Sequence, residues 1–284
     1  MCGILGFVDF KKKFSPDKII SILCTASKLQ SFRGPDNNST WINEEKNVGL
    51  AHNRLSILDL SSNGNQPMTS QCGRYTISYN GEIYNFLNLK EDLKQKVNFK
   101  SNSDTEVILE HISENGIKNT INKIDGMFSI AVWDKKKECI YLARDRVGIK
   151  PLYWTKNSEF LFFCSDLRCL NSLLHFNPSI KKESLSELLK YGYIKSPNSI
   201  FENVYKLNPG EILSINKLGY EEKNVYWSID SLKKIDKFSE KNYQYIQSEI
   251  KKELFISIKK SMISDVSIGA FLSGGIDSSL LVSM

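Results

Sequence analysis

The stretch MCGILGFVDF (residues 1–10) places a cysteine directly after the initiator methionine and follows it with a mostly apolar run. Such a run is typical of a buried β-strand. Methionine is normally removed before a small side chain, so the mature chain is expected to begin at Cys2. A freed α-amine has a pKa of about 7.7–8.0 and can act as base for the thiol beside it. Cys2 is therefore a candidate nucleophile with its own base. The plainer interpretation is a small buried side chain.

Outward from this strand, helices and strands come in groups. Ser15 is a candidate N-cap with Pro16 at the first helical position, and Ser103 with Glu106 forms a candidate capping box. Helices are predicted at 15–30, 86–97, 103–116 and 181–192, and strands at 39–43, 74–85, 126–134, 139–145, 151–154, 160–165, 209–216 and 224–227. This grouping favours an α+β fold over a doubly wound sheet.

A composition shift follows Trp227, where a charged segment runs into a long amphipathic helix. The stretch VSIGAFL (266–272) then predicts a strand, SGG (273–275) a tight loop, and the last residues a helix. Bare backbone N–H groups at Gly274 and Gly275, with Ser278 and Ser279 at a helix start, suit a phosphate group. A plain Ser-Gly-Gly turn is the alternative.

YNGEIYN (79–85) allows two interpretations. Asn-Gly within a β-prone run is a strong signal for a two-residue hairpin turn. The same pair could hold an oxyanion, because Asn80 offers a side-chain amide and Gly81 a backbone N–H with no Cβ beside it.

Arg54 could capture a substrate carboxylate through its guanidinium fork, or it could point to solvent or pair with Asp59. Asp104 could hold a substrate ammonium, or it could simply favour the start of a helix. His52 in a strand pattern, His111 in a helix and His175 in a loop are interpreted as structural.

Bulk properties exclude several classes of protein. The chain has 284 residues and a net charge of +6 without a concentrated basic stripe, which argues against nucleic-acid binding. The six cysteines show no CxxC spacing, which favours free thiols in a reducing compartment. The N-terminus lacks the pattern of a signal peptide, and no apolar run is long enough to cross a bilayer. We therefore expect a cytoplasmic protein that does not bind membranes.

Taken together, the motifs resemble one family, the glutamine-hydrolysing asparagine synthetases with an N-terminal-nucleophile glutaminase domain. The matching stretches are MCGILG (1–6), SFRGPD (31–36), AHNRLSILDL (51–60), QPM (66–68), YNGEIYN (79–85), SDTEVIL (103–109), DGMFSIAVWD (125–134), ARDRVGIKPLYW (143–154), NPGE (208–211) and SGGIDSS (273–279). Amidotransferases of sugar-phosphate or purine synthesis share the terminal cysteine, but SGGIDSS resembles the ATP-pyrophosphatase loop of the asparagine branch. β-Lactam-forming relatives lack the nucleophile, and Cys2 argues against them.

The resemblance implies a four-layer αββα glutaminase domain over residues 2–215, a linker at 216–238, and the start of an α/β ATP-pyrophosphatase domain at 239–284. It implies that Cys2 is the nucleophile, and on this basis YNGEIYN is interpreted as active site, with Asn80 and Gly81 as the oxyanion hole. Arg54 would then hold the carboxylate of glutamine and Asp104 its ammonium group, while Glu82 lines the site through its main chain.

The family's synthetase domain is longer than the 46 residues that follow position 238, so the chain could be a fragment, a truncated gene or half of a split enzyme. ATP and Mg²⁺ are implied as cofactors of the synthetase half, and no cofactor or metal is implied for the glutaminase half. The partners implied are glutamine, with aspartate and ATP in the intact enzyme. The ammonia acceptor could also be another carboxylate, such as a sugar acid. A homodimer is compatible with the resemblance, and a non-catalytic chain is the alternative. The ATP site would begin with Leu272, Ser273, Gly274, Gly275, Asp277 and Ser278.

Overall fold

The computed structural model describes residues 1–173, 177–232 and 243–284. These residues form two compact units, Met1–Ser228 and Ile229–Met284. The segment expected to be the linker, 216–238, lies partly outside the described residues, because 233–242 are not among them.

The first unit contains twelve strands and five α-helices within the described residues. Its strands are β1 (Gly3–Asp9), β2 (Asn37–Ile42), β3 (Val48–Arg54), β4 (Met68–Thr69), β5 (Tyr75–Ile83), β6 (Gly126–Asp134), β7 (Cys139–Arg144), β8 (Tyr153–Lys156), β9 (Phe160–Cys164), β10 (Tyr205–Lys206), β11 (Glu211–Asn216) and β12 (Glu221–Val225). Its helices are α1 (Pro16–Leu29), α2 (Phe86–Leu93), α3 (Asp104–Asn115), α4 (Ile117–Lys123) and α5 (Lys182–Tyr191).

The strands form two six-stranded sheets, in the orders β10-β8-β9-β1-β3-β2 and β12-β11-β7-β6-β5-β4. Paired strands are antiparallel in both sheets. Side chains of β1, β3, β6, β7 and β11 form a shared core between the sheets, α1 packs on the outer face of the first sheet, and α3 packs on β5 of the second. The predicted α+β fold with four αββα layers is confirmed.

The alternation of side chains along β1 determines which face of the first sheet the Cys2 side chain points to. Ile4 and Val8 belong to the core between the sheets, whereas Leu5 and Phe7 pack with α1. Because successive side chains of a strand point to opposite faces, Cys2 shares the parity of Ile4 and lies on the side of the second sheet.

The helix starts follow their capping residues, with one correction. Ser15 Oγ accepts the Lys18 N–H at 3.3 Å, as predicted. Ser103 Oγ accepts the N–H of the second helical residue at 3.1 Å, but the reciprocal half of the capping box is wrong. The loop before α3 folds back over the helix start, so the Glu106 carboxylate accepts the Ser101 N–H at 2.7 Å rather than the Ser103 N–H. The Ser103 N–H donates to Ser101 Oγ.

The first unit extends beyond residue 215. Strand β12 pairs with β11 from Glu211↔Val225 to Ile215↔Glu221, inside the range that we expected to be linker. The strand predicted at 224–227 is displaced towards the N-terminus, because the N–H groups of Tyr226 and Trp227 donate to the Gly210 carbonyl rather than to a ladder.

The second unit contains α6 (Tyr243–Ser261) and α7 (Ile276–Ser283), and neither helix has a buried residue. The strand predicted at 266–272 is wrong, since these residues form no ladder within the described parts of the chain. A strand needs a neighbour to satisfy its backbone groups, and apolar composition alone does not provide one. No helix among the described residues has the length and apolar character needed to cross a membrane.

Candidate active site

A cavity in the first unit opens at the start of β1. Its walls come from the two residues before β1, from the end of β3 and the loop after it, from β5, from the start of β6, from the start of α3 and from the loop before β8. All six residues predicted for the glutaminase site line this cavity: Cys2, Arg54, Asn80, Gly81, Glu82 and Asp104.

The Cys2 thiol lies against the end of β3, where its Sγ accepts the Leu55 N–H at 3.3 Å. Burial raises the pKa of the thiol, and the Leu55 hydrogen bond opposes this effect because it favours the thiolate. The Cys2 carbonyl accepts a hydrogen bond from Arg33 Nε at 3.1 Å. Burial lowers the pKa of the α-amine of Met1 in the same cavity.

Asn80 and Gly81 lie inside a continuous strand. The β5–β6 pairing runs without interruption from Tyr75↔Asp134 to Ile83↔Gly126, with Asn80 opposite Ser129. The hairpin-turn interpretation of YNGEIYN is therefore wrong, and so is the expectation that a bend aims the two residues at one point. Pairing with a strand more than 40 residues away outweighs the local turn signal.

The Asn80 side chain projects into the space between the sheets. Ser78, on the same face of β5, donates from Oγ to the Ala51 carbonyl of β3 at 3.1 Å. Asn80 is only 1% exposed, yet its Nδ2 has no hydrogen-bond partner among the described residues. A buried amide donor without an acceptor costs free energy, so its retention on the wall of a cavity indicates an acceptor that the cavity would receive.

The Gly81 N–H points away from β6, towards the cavity side of the strand. The N–H groups two residues before and after it mark this edge, since Tyr79 N–H donates to Gln66 Oε1 at 2.6 Å and Ile83 N–H to Asp104 Oδ2 at 3.0 Å. Strand β4 covers β5 only at Thr76 and Ile77. Antiparallel backbone alternation therefore turns the N–H of Gly81 to the same open edge.

The Arg54 guanidinium is buried and holds the loop after β3. Nη1 donates to the Ser61 carbonyl at 2.6 Å and to Asn65 Oδ1 at 2.9 Å, and Nη2 donates to the carbonyls of Leu58 and Asp59. Capture of a carboxylate by both terminal nitrogens would replace some of these bonds. Binding of the substrate carboxylate by Arg54 stays a prediction.

Two acidic side chains, Glu82 on β5 and Asp104 at the start of α3, also line the cavity. Asp104 Oδ2 accepts the Tyr79 hydroxyl at 2.7 Å in addition to Ile83 N–H. Burial raises the pKa of Asp104, while these hydrogen bonds favour its charged form. Burial also raises the pKa of the half-buried Glu82. A cation between them would offset the cost of desolvating the carboxylates.

Four further residues of the site were not predicted: Arg33, Gln66, Tyr79 and Lys150. Each lies inside or beside a motif stretch, but nothing local marks it as part of a site. Gln66, for example, accepts from Tyr79 N–H through Oε1 and donates from Nε2 to Thr105 Oγ1 at 3.2 Å. These contacts join segments that only the tertiary fold brings together.

His52 and His111 make structural contacts, as predicted. His52 Nε2 lies 3.0 Å from the Tyr79 carbonyl, and burial lowers the pKa of His52 to about 4. His111 Nδ1 lies 2.8 Å from Thr120 Oγ1. His175 lies outside the described residues.

The predicted ATP-binding residues lie in the second unit. Gly274 has φ +81°, and a Cβ there would meet nothing within 4 Å, so the loop backbone is open to a ligand. Ser273 Oγ and Ser278 Oγ lie 3.0 Å apart, and Ser278 Oγ also donates to the Gly275 carbonyl. Leu272 precedes the loop, Asp277 is in the first turn of α7, and the donor set fits a phosphate. No cluster of three or more potential metal-ligating His, Cys, Asp or Glu side chains occurs among the described residues.

Comparison with known proteins defines the class first. Residues 1–227 match the glutamine amidotransferase domain family, so the chain belongs to that family. Residues 249–284 match the asparagine synthase family. The fold agrees with two solved structures, each of which aligns with 80% of this chain. One is the glutamine phosphoribosylpyrophosphate amidotransferase from B. subtilis, with a TM-score of 0.57, 17% identity and 50% of its own chain covered. The other is an allosteric regulatory enzyme of purine biosynthesis, with a TM-score of 0.56, 18% identity and 49% of its own chain covered. The fold is that of N-terminal-nucleophile amidotransferases.

Curated relatives make the assignment more specific. The chain is 39% identical, over 98% of its length, to asparagine synthetase [glutamine-hydrolyzing] 2 of Bacillus subtilis, and 36% identical, over 99%, to a putative asparagine synthetase of the same type from Methanocaldococcus jannaschii. It spans 38% and 56% of the lengths of these two relatives. The resemblance drawn from the motifs is confirmed.

Proposed function

We propose that this chain hydrolyses glutamine to glutamate and ammonia with Cys2 as the nucleophile. One observation carries the proposal: within the described parts of the chain the buried Asn80 amide Nδ2 has no hydrogen-bond partner, and Asn80 lines the same cavity as the Cys2 thiol. Acyl transfer creates an oxyanion, and an amide N–H without a partner can donate a hydrogen bond to that oxyanion without first breaking another one.

In the proposed mechanism, the Cys2 thiolate attacks the side-chain amide carbon of glutamine, and the thiol proton passes to the α-amine that removal of Met1 exposes. Asn80 Nδ2 and the Gly81 N–H donate to the resulting oxyanion. The C–N bond then breaks, and ammonia leaves with the proton returned from the α-amine. Water then adds to the thioester and passes a proton to the α-amine, and a second oxyanion forms at the same place. The C–S bond breaks, glutamate leaves, and the proton returns to the Cys2 sulfur to regenerate the thiol.

The substrate's α-groups would bind at the other end of the cavity. Asp104 would accept a hydrogen bond from the α-ammonium, and this charge would compensate the buried carboxylate. Arg54 would bind the α-carboxylate after losing some of its hydrogen bonds to the loop after β3. Glu82 would line the site through its main chain. Replacing Arg54 with Lys should weaken glutamine binding, because the lysine retains the charge but loses the planar fork.

In an intact enzyme the ammonia would serve an ATP-dependent synthesis. Backbone groups of Gly274 and Gly275 with the hydroxyls of Ser273 and Ser278 would hold the phosphates of ATP, flanked by Leu272 and Asp277, with Mg²⁺ accompanying the nucleotide. ATP would supply activation of a carboxylate by adenylation. Aspartate is the proposed acceptor, which gives asparagine, and another carboxylate such as a sugar acid is the alternative.

The glutaminase domain would comprise 2–215 with β12 added, and the synthetase domain would begin near 239. We further propose that the intact enzyme acts in the cytoplasm and that its glutaminase step needs no cofactor. A homodimer is compatible with the family.

The test is release of ammonia and glutamate from glutamine by the purified chain, measured separately. Equal amounts of both products are expected, with loss of both in the Cys2→Ala variant. Thermal unfolding of the two proteins should match, so that loss of activity is not loss of fold. A folded chain with free Cys2 that releases no glutamate above the Cys2→Ala level would instead support a non-catalytic role.

A further inference from the structure

Lys150 lies on the wall of the Cys2 cavity, although it is only 6% exposed. No carboxylate of the described residues lies within ion-pairing distance of its Nζ, and Nζ makes no hydrogen bond to any of them. Nζ is not among the fully buried unpartnered atoms of the described residues, so the ammonium reaches the cavity that Lys150 lines, where it is only partly hydrated. The cavity therefore holds a positive charge that the resting protein does not neutralise by direct contact.

The backbone of Lys150 is held from two sides by buried charged residues. Arg144 Nε donates to the Lys150 carbonyl at 2.8 Å, and Asp145 Oδ2 accepts the Lys150 N–H at 2.9 Å. Asp145 also accepts the N–H groups of Phe128, Val147 and Ile149. The loop that carries Lys150 is thus tied to the second sheet, and the ammonium is presented from a rigid support.

Several other charged or titratable groups surround the Cys2 thiol and the adjacent α-amine. They are the α-amine at the N-terminus, Arg33 after α1, Asp36 before β2, Arg54 at the end of β3, Tyr79 and Glu82 on β5, and Asp104 at the start of α3. Arg33 is engaged with the Cys2 carbonyl and Arg54 with the loop after β3. Unlike these two arginine side chains, the Lys150 side chain makes no hydrogen bond or ion pair with any residue that the structure describes.

We propose that Lys150 is a positioning residue that stabilises the thiolate of Cys2 electrostatically, and so keeps the nucleophile reactive near neutral pH. The proposal rests on the glutaminase function above, because Lys150 would affect the reaction only through the charge state of Cys2. Burial favours the neutral thiol, and an ammonium in the same partly desolvated cavity favours the thiolate. In agreement, burial lowers the pKa of Lys150, and the nearby Cys2 thiolate and Glu82 act in the opposite direction.

The experiment measures the reactivity of Cys2 without glutamine. The full chain, its Lys150→Met variant and its Lys150→Arg variant are treated with iodoacetamide from pH 5 to pH 10, and alkylation of the N-terminal peptide is followed by mass spectrometry. Thiolate displaces iodide, so the rate at each pH reports the fraction of thiolate. Cys24 is exposed on α1 and provides an internal reference in the same digest.

Lys136→Met is the matched control, because it removes the same charge from an exposed turn at the opposite end of β6. We expect the midpoint of the Cys2 profile to rise by about one pH unit or more in Lys150→Met, which makes alkylation about tenfold slower below both midpoints. Lys150→Arg should retain the wild-type midpoint, and the Cys24 profile should not change in any variant.

Coincident Cys2 profiles for wild type, Lys150→Met and Lys136→Met would overturn the role of Lys150. A Lys150→Arg profile shifted as far as that of Lys150→Met would also contradict it, because charge alone would then not be the cause. Ammonia release from glutamine by the wild type is measured in parallel. Its absence with a normal alkylation shift would refute the proposed function and leave the thiolate effect standing.

Discussion

Truncation of Asn80 tests the site most directly, because the structure separates its effect on catalysis from its effect on folding. The amide Nδ2 makes no hydrogen bond to the residues that the structure describes, so Asn80→Ala breaks none among them and removes an unsatisfied buried donor. We expect the free energy of unfolding to change by no more than about 1 kcal/mol. In the transition state the same donor would bind the oxyanion, and its loss should lower kcat by about 10²–10³, equivalent to about 3–4 kcal/mol.

The assay is initial-rate glutamate formation over a range of glutamine concentrations, with urea unfolding of the same preparations. KM should change much less than kcat, because the donor acts mainly on the developing negative charge. Ser129→Ala is the matched control. Ser129 lies directly opposite Asn80 on β6, and its hydroxyl is likewise buried without a partner among the described residues, but Ser129 does not line the cavity.

The reasoning predicts that Ser129→Ala keeps the wild-type kcat within about twofold. An Asn80→Ala enzyme with unchanged kcat would show that the unpartnered amide has no role in the reaction. Equal losses in the two variants would show that packing between the sheets, rather than the donor, is responsible.

Three further predictions follow from the same contacts. A chain that retains Met1 should unfold normally but release no ammonia, because the α-amine would then belong to the wrong residue; full activity with Met1 confirmed by mass spectrometry would contradict this. Asp104→Asn should raise the KM for glutamine by about 10- to 100-fold, since a hydrogen bond to a charged group is worth about 1.5–3 kcal/mol, and an unchanged KM in rate measurements would exclude contact with the ammonium. Burial holds the pKa of His52 at about 4, below its value of 6.5 in the unfolded chain, so the unfolded state binds the extra proton and stability is lost as pH falls from about 6.5 to about 4. In urea unfolding at a series of pH values, His52→Gln should reduce this fall in the free energy of unfolding by up to about 3 kcal/mol. A dependence of the free energy of unfolding on pH equal to that of the wild type would refute the lowered pKa of His52.

Local chemistry was enough to predict much of the fold. The cap at Ser15, the strand after Cys2 and the grouping of strands and helices each depend on a few neighbouring residues, and the structure agrees with them. The same local reasoning failed where pairing decides the outcome. Asn80-Gly81 has the composition of a turn but pairs along its whole length with β6, and 266–272 has the composition of a strand but no ladder among the described residues.

The sequence by itself therefore determined which residue is proposed as the nucleophile and the order of the motifs, because a terminal cysteine and short motif stretches are properties of adjacent residues. Only the tertiary structure decided which side chains surround the thiol. The unpartnered Asn80 amide, the Gly81 N–H at an open edge of β5 and the Lys150 ammonium all depend on contacts between segments distant in sequence. Whether a donor or a charge is satisfied depends on what packs against it, and no local pattern contains that information.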